Sequence, residues 1–346
     1  MIISNYNIDK NSPVFIIAEL SANHNGSIKT AIETIKAAKR AGANCIKLQT
    51  YRADTMTIDS DKDDFLIKET IWDGKNLYKL YQEAYTPWEW HEELLKVAKD
   101  EGLVCFSSPF DKTAVDFLET LNVPAYKIAS FEITDIPLIE YVASKGKPII
   151  ISTGIANIED IELAIEACKR YGNANIALLK CTSSYPAPIK EANLSMIKDL
   201  AERFNVISGL SDHTIGSIAP IAATVLGAKI IEKHFIIDRS IGGPDASFSM
   251  NEEEFTVMVE SIRKAESAIG KVNYSLTEKQ KKGRDFSRSL YVVKDIKKDE
   301  IITERNVRSI RPGFGLHPKF LSEILGKKIN QNIQKGTRMC FDYIKS

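Results

Sequence analysis

Two of the five histidines, His213 and His234, each follow closely on a short apolar run in the second half of the chain. Paired imidazoles at such places can hold a divalent metal, with water, substrate or a carboxylate completing the shell. Glu19 and Glu232 end comparable runs and suit the roles of ligand, orienter or base. Lysines and hydroxyls recur at the other run ends: Lys47 with Gln49, Ser107 with Ser108, Lys127 with Ser130, and Ser152 with Thr153. Further along come Lys180 with Thr182, Ser183 and Tyr185, then Ser211 with Asp212. Ammonium groups supply point charge and hydroxyls supply donors, which together fit a phosphate or a small phosphorylated acid. Any one of these residues can be polar simply because it reaches water. Eight such ends in register are harder to explain that way. His91 lies inside a helical pattern and reads as a surface or packing residue.

The elements that must carry these groups are short strands alternating with helices. Apolar runs cover 14–18, 45–48, 103–106, 125–129, 148–151, 176–179, 205–208 and 228–231. Most lack polar alternation, as strands covered on both faces do. Between the first two, Ile28, Ala31, Ile32, Ile35 and Ala38 recur at helical spacing before Gly42. Eight such units within about 250 residues predict a closed (β/α)8 TIM barrel, with chemistry where the strands run out. No Gly-rich turn follows the first strand, which weakens the case for an open doubly wound sheet. The stretch 51–86 is too long for an ordinary connection and falls at the exit of the second strand, so it is expected on the pocket rim.

After about Gly270 the pattern changes. The sequence predicts a barrel domain over 1–275, a polar linker over 276–286 and a small domain over 287–346. That small domain carries an internal echo, in which 295–301 and 332–338 each read as an Ile, a charged turn and a return to strand.

Composition narrows the function further. Forty-six Lys and Arg offset 46 Asp and Glu among 346 residues, so no nucleic-acid-binding surface is expected. No apolar stretch suits a membrane span and the N-terminal residues do not read as a secretion signal. Five scattered cysteines without CxxC fit a reducing cytoplasm. A Schiff-base aldolase using Lys127 or Lys180 is a rival reading, as is a non-catalytic sugar-binding protein. Neither GxGxxG, a Walker motif nor a GxSxG elbow is present.

These residues stand in recognisable company. The stretches IIAELSANHNGS (16–27), IKLQTY (46–51), FSSPFD (106–111), YKIAS (126–130) and ISTGIA (151–156) resemble the bacterial sialic-acid synthase family. So do LLKCTSSYPAP (178–188), GLSDHT (209–214), EKHF (232–235), GGPDASFS (242–249) and SIRPGFGLHP (309–318). DFLIKETIWDG (64–74) and FGLHPKF (314–320) favour its pseudaminic branch over the N-acetylneuraminate and legionaminic branches.

The resemblance implies a barrel followed by a small antifreeze-like (SAF) domain, and a homodimer that swaps this domain over the partner's active site. It implies metal-dependent condensation of phosphoenolpyruvate with the open-chain aldehyde of an acylated amino sugar, giving a 2-keto acid and phosphate. In the pseudaminic branch that sugar is 2,4-diacetamido-2,4,6-trideoxy-L-altrose. On the family pattern, His213 and His234 hold the metal, with manganese the usual ion, and Glu19, Glu232, Asp245 and Arg311 are catalytic positions. Lys47, Lys127, Ser130, Ser152 and Ser211 match phosphoenolpyruvate contacts, and Ser107 stands near a carboxylate-binding hydroxyl. Tyr185 and Asp245 match the wall beside the sugar and metal, and Arg311 the arginine that the swapped domain delivers. Ser183 departs from members with Asn there, which puts a direct phosphate contact at this position in doubt.

Overall fold

Eight parallel strands close on themselves: β1 (Phe15–Glu19), β2 (Cys45–Thr50), β3 (Val104–Pro109), β4 (Tyr126–Ile128), β5 (Ile149–Ser152), β6 (Ile176–Cys181), β7 (Ile207–Asp212) and β8 (Ile230–His234). In this computed structural model, which describes residues 1–345, β8 pairs with β1 to seal the TIM barrel. Each strand is followed by a barrel helix, from α1 (Ile28–Arg40) after β1 to Glu252–Ile269 after β8. Local chemistry starts these helices: Ser27 caps α1, Asp111 caps Lys112–Thr120, and Asn157 and Asn251 form capping boxes with Asp160 and Glu254.

Two-residue periodicity decides what enters the barrel. Phe15, Ile17, Cys45, Val104, Phe106 and Ile150 fill its lower interior, and Ile3 and Ile8 of the N-terminal segment pack with them. Ile16, Ala18, Ile46 and Leu48 point the other way, into the layer beneath the helices. Several ladders run past the apolar stretches that mark them in sequence. β7 continues to Asp212 and β8 to His234, because the upper interior is lined by polar side chains.

The connection from β2 to its barrel helix, His91–Asp100, contains the short helices α2 (Ala53–Met56) and α3 (Leu77–Ala84). Between them the backbone folds into a hairpin, with Ile67 N–H donating to Lys75 O and Gly74 N–H to Ile67 O, both at 2.9 Å.

Residues from Lys271 onward form a separate compact unit, so the division falls at Gly270, ahead of the expected boundary at 275. The segment expected to be a linker carries a short helix, Glu278–Gly283, capped by Thr277. In this second unit, Ser289–Val292 pairs antiparallel with Val307–Ile310. Its core includes Leu290, Val292, Ile302, Val307, Ile324 and Met339. The two echoed segments meet: Ile296 bridges Ile333, and Lys298 N–H donates to Asn332 Oδ1 at 2.8 Å. Among the described residues no helix is long and apolar enough to cross a membrane.

Gly209, within β7, sits hard against the neighbouring strand. A Cβ there would lie 2.2 Å from Ile230 O and 2.8 Å from Leu179 Cδ2. Because the first obstacle is backbone, Gly209→Ala should destabilise the barrel by about 2–3 kcal/mol, measured by urea unfolding.

Candidate active site

At the C-terminal ends of the strands lies a cavity of about 750 Å³. Its floor is a buried cluster of four charges. Lys47 Nζ lies 2.5 Å from Glu19 Oε2 and 2.8 Å from Glu232 Oε1, while Lys127 Nζ lies 3.6 Å from the same Glu232 oxygen. Ser211 donates to Glu232 Oε1 at 3.0 Å, and Lys127 donates to Ser152 Oγ at 2.7 Å. Strand register assembles the group, since Glu19 pairs with Lys47 on one side and with His234 on the other.

Burial and mutual attraction set the charges against each other. Burial disfavours an ionised Glu232, but Lys127 and Lys47 outweigh it and hold the carboxyl down at about 2. In Glu19 burial prevails over the attraction of Lys47 and pushes the carboxyl up. Burial also opposes charge on Lys47, yet Glu19 and Glu232 raise its affinity for the proton. For Lys127 burial prevails, lowering that affinity.

His213 and His234 stand above this floor with ring centroids 5.3 Å apart. His213 Nδ1 is 3.0 Å from Thr182 O, a contact that suits an Nδ1–H donor; burial opposes a second proton on this ring, but Cys181 outweighs it and raises the ring's proton affinity. His234 Nδ1 is buried without a hydrogen-bond partner, 3.7 Å from Asp245 Oδ2. Burial pushes its pKa down to about 3, keeping the imidazole neutral, the form that binds metal. This orphaned nitrogen and the oriented second ring fit a divalent ion. No group of three or more His, Cys, Asp and Glu suited to a metal occurs among the described residues. The two imidazoles would therefore need water or substrate to complete a shell.

The remaining expected residues divide cleanly. Ser130, Ser152, Ser183, Tyr185, Ser211 and Asp245 all line the cavity. Ser21 donates to Asp245 Oδ2 at 2.5 Å, and Gln49 donates to Glu19 and Ser21. Gly154 leaves room between hydroxyls, because a Cβ there would lie 2.1 Å from Ser183 Oγ and 2.7 Å from Ser130 Oγ. The Tyr185 ring lies 4.4 Å from that of His213. Arg311 belongs to the second unit, just beyond the Val307–Ile310 strand.

Ser107 is not on the cavity wall. Phe106 points inward, so strand alternation turns Ser107 outward, where its hydroxyl meets Thr50 Oγ1 at 2.7 Å. Thr50 in turn contacts His91 Nε2 at 2.8 Å, and His91 Nδ1 contacts Pro87 O at 3.1 Å. His91 is thus a fully buried member of a polar chain behind the strands. The neighbouring Ser108 lines the cavity, and its buried hydroxyl has no protein partner. Alternation also turns Lys180 out of the cavity, with its ammonium donating to Thr182 Oγ1 at 3.2 Å. Lys233 and Asp212 form a separate buried pair at 2.5 Å.

Glu132 is a further acidic group that the strand-exit pattern does not reveal. It sits on a 3-10 turn (Ser130–Glu132), lines the cavity, and leaves Oε2 buried without a partner. Burial lifts its carboxyl to about 7, against the pull of Lys127, with a smaller upward push from Asp135.

A parallel barrel with a charged floor beneath paired imidazoles defines a C-terminal-face enzyme site. Residues 34–274 match the NeuB family and residues 287–337 match the SAF domain. The chain is 52% identical to pseudaminic acid synthase of Campylobacter jejuni over 97% of both chains. It is 50% identical to pseudaminic acid synthase of Helicobacter pylori, covering 96% of this chain and 98% of that one. Among solved structures, the spore coat polysaccharide biosynthesis protein of Bacillus subtilis superposes with TM-score 0.68 at 35% identity, over 100% and 99% of the two chains. The chain belongs to the NeuB family of nonulosonic acid synthases. Membership implies a metal-dependent mechanism in general terms.

With its carboxyl near 7, Glu132 carries a proton below neutrality and loses it above. A step that draws on this proton slows as pH rises through about 7. Glu132→Gln keeps a neutral side chain but has no acidic proton, so kcat should fall by roughly 10²-fold and that alkaline decline should flatten. Wild-type kcat and an unaltered pH profile in the variant would remove Glu132 from proton transfer.

Proposed function

We propose that the chain condenses phosphoenolpyruvate with 2,4-diacetamido-2,4,6-trideoxy-L-altrose to give pseudaminic acid and inorganic phosphate. The observation that carries this reading is the buried Lys47–Glu232–Lys127 bridge, ringed by cavity-facing Ser108, Ser130, Ser152 and Ser211. Such a set suits a small molecule bearing phosphate and carboxylate, whose anionic oxygens can take over lysine contacts now made by Glu232. Identities of 52% and 50% to two pseudaminic acid synthases favour this sugar over the N-acetylneuraminate and legionaminic precursors.

In the proposed reaction the enol π pair of phosphoenolpyruvate joins its methylene carbon to the sugar's aldehyde carbon, whose C=O π bond opens to an oxygen that takes up a proton. Positive character then develops at the enol carbon, water adds there and gives up a proton, and the tetrahedral intermediate breaks its C–O bond to expel phosphate. Lys47, Lys127 and the seryl hydroxyls hold the phosphorylated acid and offset its changing charge without reorganising during the reaction. Ser183 lines the cavity, and its hydroxyl would contact the phosphate directly or through water. Glu19 and Glu132, whose carboxyls burial pushes up, are suited to proton transfer at the floor and side of the cavity. Asp245, anchored by Ser21 beside His234, orients that imidazole or the sugar. His213 and His234 would hold a divalent ion, manganese on the family pattern, which when bound supplies Lewis acidity toward a carbonyl or water.

The reading extends to assembly and compartment. Arg311 lies within the SAF-matching segment and is proposed to reach the sugar site of a partner chain in a domain-swapped homodimer. Its planar donor fork suits an amide or hydroxyl oxygen. All five cysteines are free, consistent with a reducing cytoplasm.

A condensation assay that offers the diacetamido altrose sugar, its legionaminic counterpart and N-acetylmannosamine, each with phosphoenolpyruvate, tests the substrate. Phosphate release and product mass should favour the first sugar, disappear on chelation and return with Mn²⁺. Preference for N-acetylmannosamine would overturn the substrate, and full activity of metal-free enzyme would overturn the metal. A borohydride-trapped pyruvate adduct on Lys127 would support the aldolase instead.

Assembly is tested by mixing two inactive variants. His234→Ala damages the barrel site and Arg311→Ala the delivered arm, so isolated heterodimers should regain activity at one of two sites. Heterodimers as inactive as both parents, beside surviving wild-type controls, would reject the exchanged arm.

A further inference from the structure

The cavity has two chemically distinct parts. Its charged floor comes from the strand ends, whereas one upper wall comes from the long connection after β2. That wall presents Met56, Ile67, Ile71, Trp72, Leu80 and Tyr81. The polar Glu69 and Thr70 that also border it are exposed at the hairpin turn, where Thr70 Oγ1 accepts from Trp72 N–H at 3.1 Å.

Several contacts fix the wall against the rest of the site. The Ile67–Lys75 and Gly74–Ile67 backbone bonds define the hairpin carrying Ile71 and Trp72. At its base Asn76 caps α3 and donates to Ser60 O. Trp72 Nε1–H donates to Pro244 O at 3.1 Å, beside Asp245, and its ring lies 5.5 Å from Tyr185. Leu80 is the buried residue of α3, while Tyr81 packs edge-on to Tyr51. The indole therefore joins the connection to the side of the cavity that bears Asp245 and Tyr185.

We propose that this wall selects among acylated amino sugars by receiving apolar groups, namely the terminal methyl and the acetamido methyls. The assignment rests on the functional reading above and deepens it. The diacetamido trideoxy sugar has a methyl where N-acetylmannosamine has a primary hydroxyl, and a second acetamido group in place of a ring-position hydroxyl. Apolar side chains gain by covering these methyls. A hydroxyl pressed against the same surface loses its bonds to water without a replacement. Selection then resides in the connection after β2, while the floor serves the phosphorylated acid shared by every sugar tested.

The experiment compares kcat/KM for the diacetamido trideoxy sugar with two analogues, one with a hydroxyl on the terminal carbon and one with the 4-amino group unacetylated. Ile67→Thr and Leu80→Asn place polarity on the wall, and Leu80→Met serves as the conservative control. Each polar variant should reduce preference over at least one analogue by about 10-fold or more. The KM for phosphoenolpyruvate should stay at its wild-type value, and Leu80→Met should retain the preference. Thermal melts confirm folding, and Ile67→Thr keeps the test open if Leu80→Asn unfolds. Unchanged preferences in the folded polar variants, with wild type still favouring the diacetamido sugar, overturn this assignment alone. A wild-type enzyme that rejects that sugar overturns the functional reading and the assignment together.

Discussion

Glu232 held between Lys47, which donates to it, and Lys127, 3.6 Å from the same oxygen, is the interaction on which the rest of the site depends. Two buried ammonium groups without a counter-anion would be strongly unfavourable, and Glu232 alone would be no better. Glu19 completes the balance on the far side of Lys47. The arrangement constrains the strands as much as the strands constrain it. A slip of one residue between β1 and β2 would send Lys47 toward the helices and bring Leu48 to the cavity. Apolar packing below, from Phe15, Ile17, Phe106 and Ile150, sets the parity that brings these charges to one level.

The same parity explains what can be read from the sequence. Eight apolar runs announce eight barrel strands because both faces of each are covered. Their upper ends are harder to read, since the interior turns polar while the ladder continues to Asp212 and His234. The expected lysines and both histidines can be located because each lies within or just after one of these runs. Choosing between Ser107 and Ser108 requires an inward-pointing neighbour, and Phe106 supplies it only once the barrel interior is known. His91 looks ordinary on its helix because its partner Thr50, and Ser107 beyond it, come from separate strands. Glu132 escapes the pattern for another reason. It stands on a turn past the exit of β4, and its altered acidity comes from three-dimensional burial. The long connection after β2 declares its position through length alone, while its apolar lining depends on how its hairpin folds back.

The two parts of the cavity can vary independently of one another. Floor residues belong to strands whose register is tied all around the barrel, so a change there disturbs several neighbours. The wall belongs to a connection tied to the barrel at fewer points, including the Trp72 bond to Pro244. An enzyme family that keeps one phosphorylated donor and varies the sugar is well served by this division. The SAF-matching unit has its own core, where the Ile296–Ile333 bridge joins the two echoed segments.

The floor's charge balance has a consequence for encounter rather than chemistry. Two ammonium groups facing two carboxylates cancel in their ionised forms, and the whole chain also balances 46 positive against 46 negative residues. An anion that approaches before a divalent ion is bound meets little long-range pull from either source. Its arrival is governed by ordinary diffusion and orientation, and added salt has little field to screen. On the proposed reading, recognition begins at contact, when an incoming oxygen competes with Glu232 for the lysines. Such a mouth does not concentrate every passing anion, and it admits a ligand for the bonds it can exchange rather than for its charge.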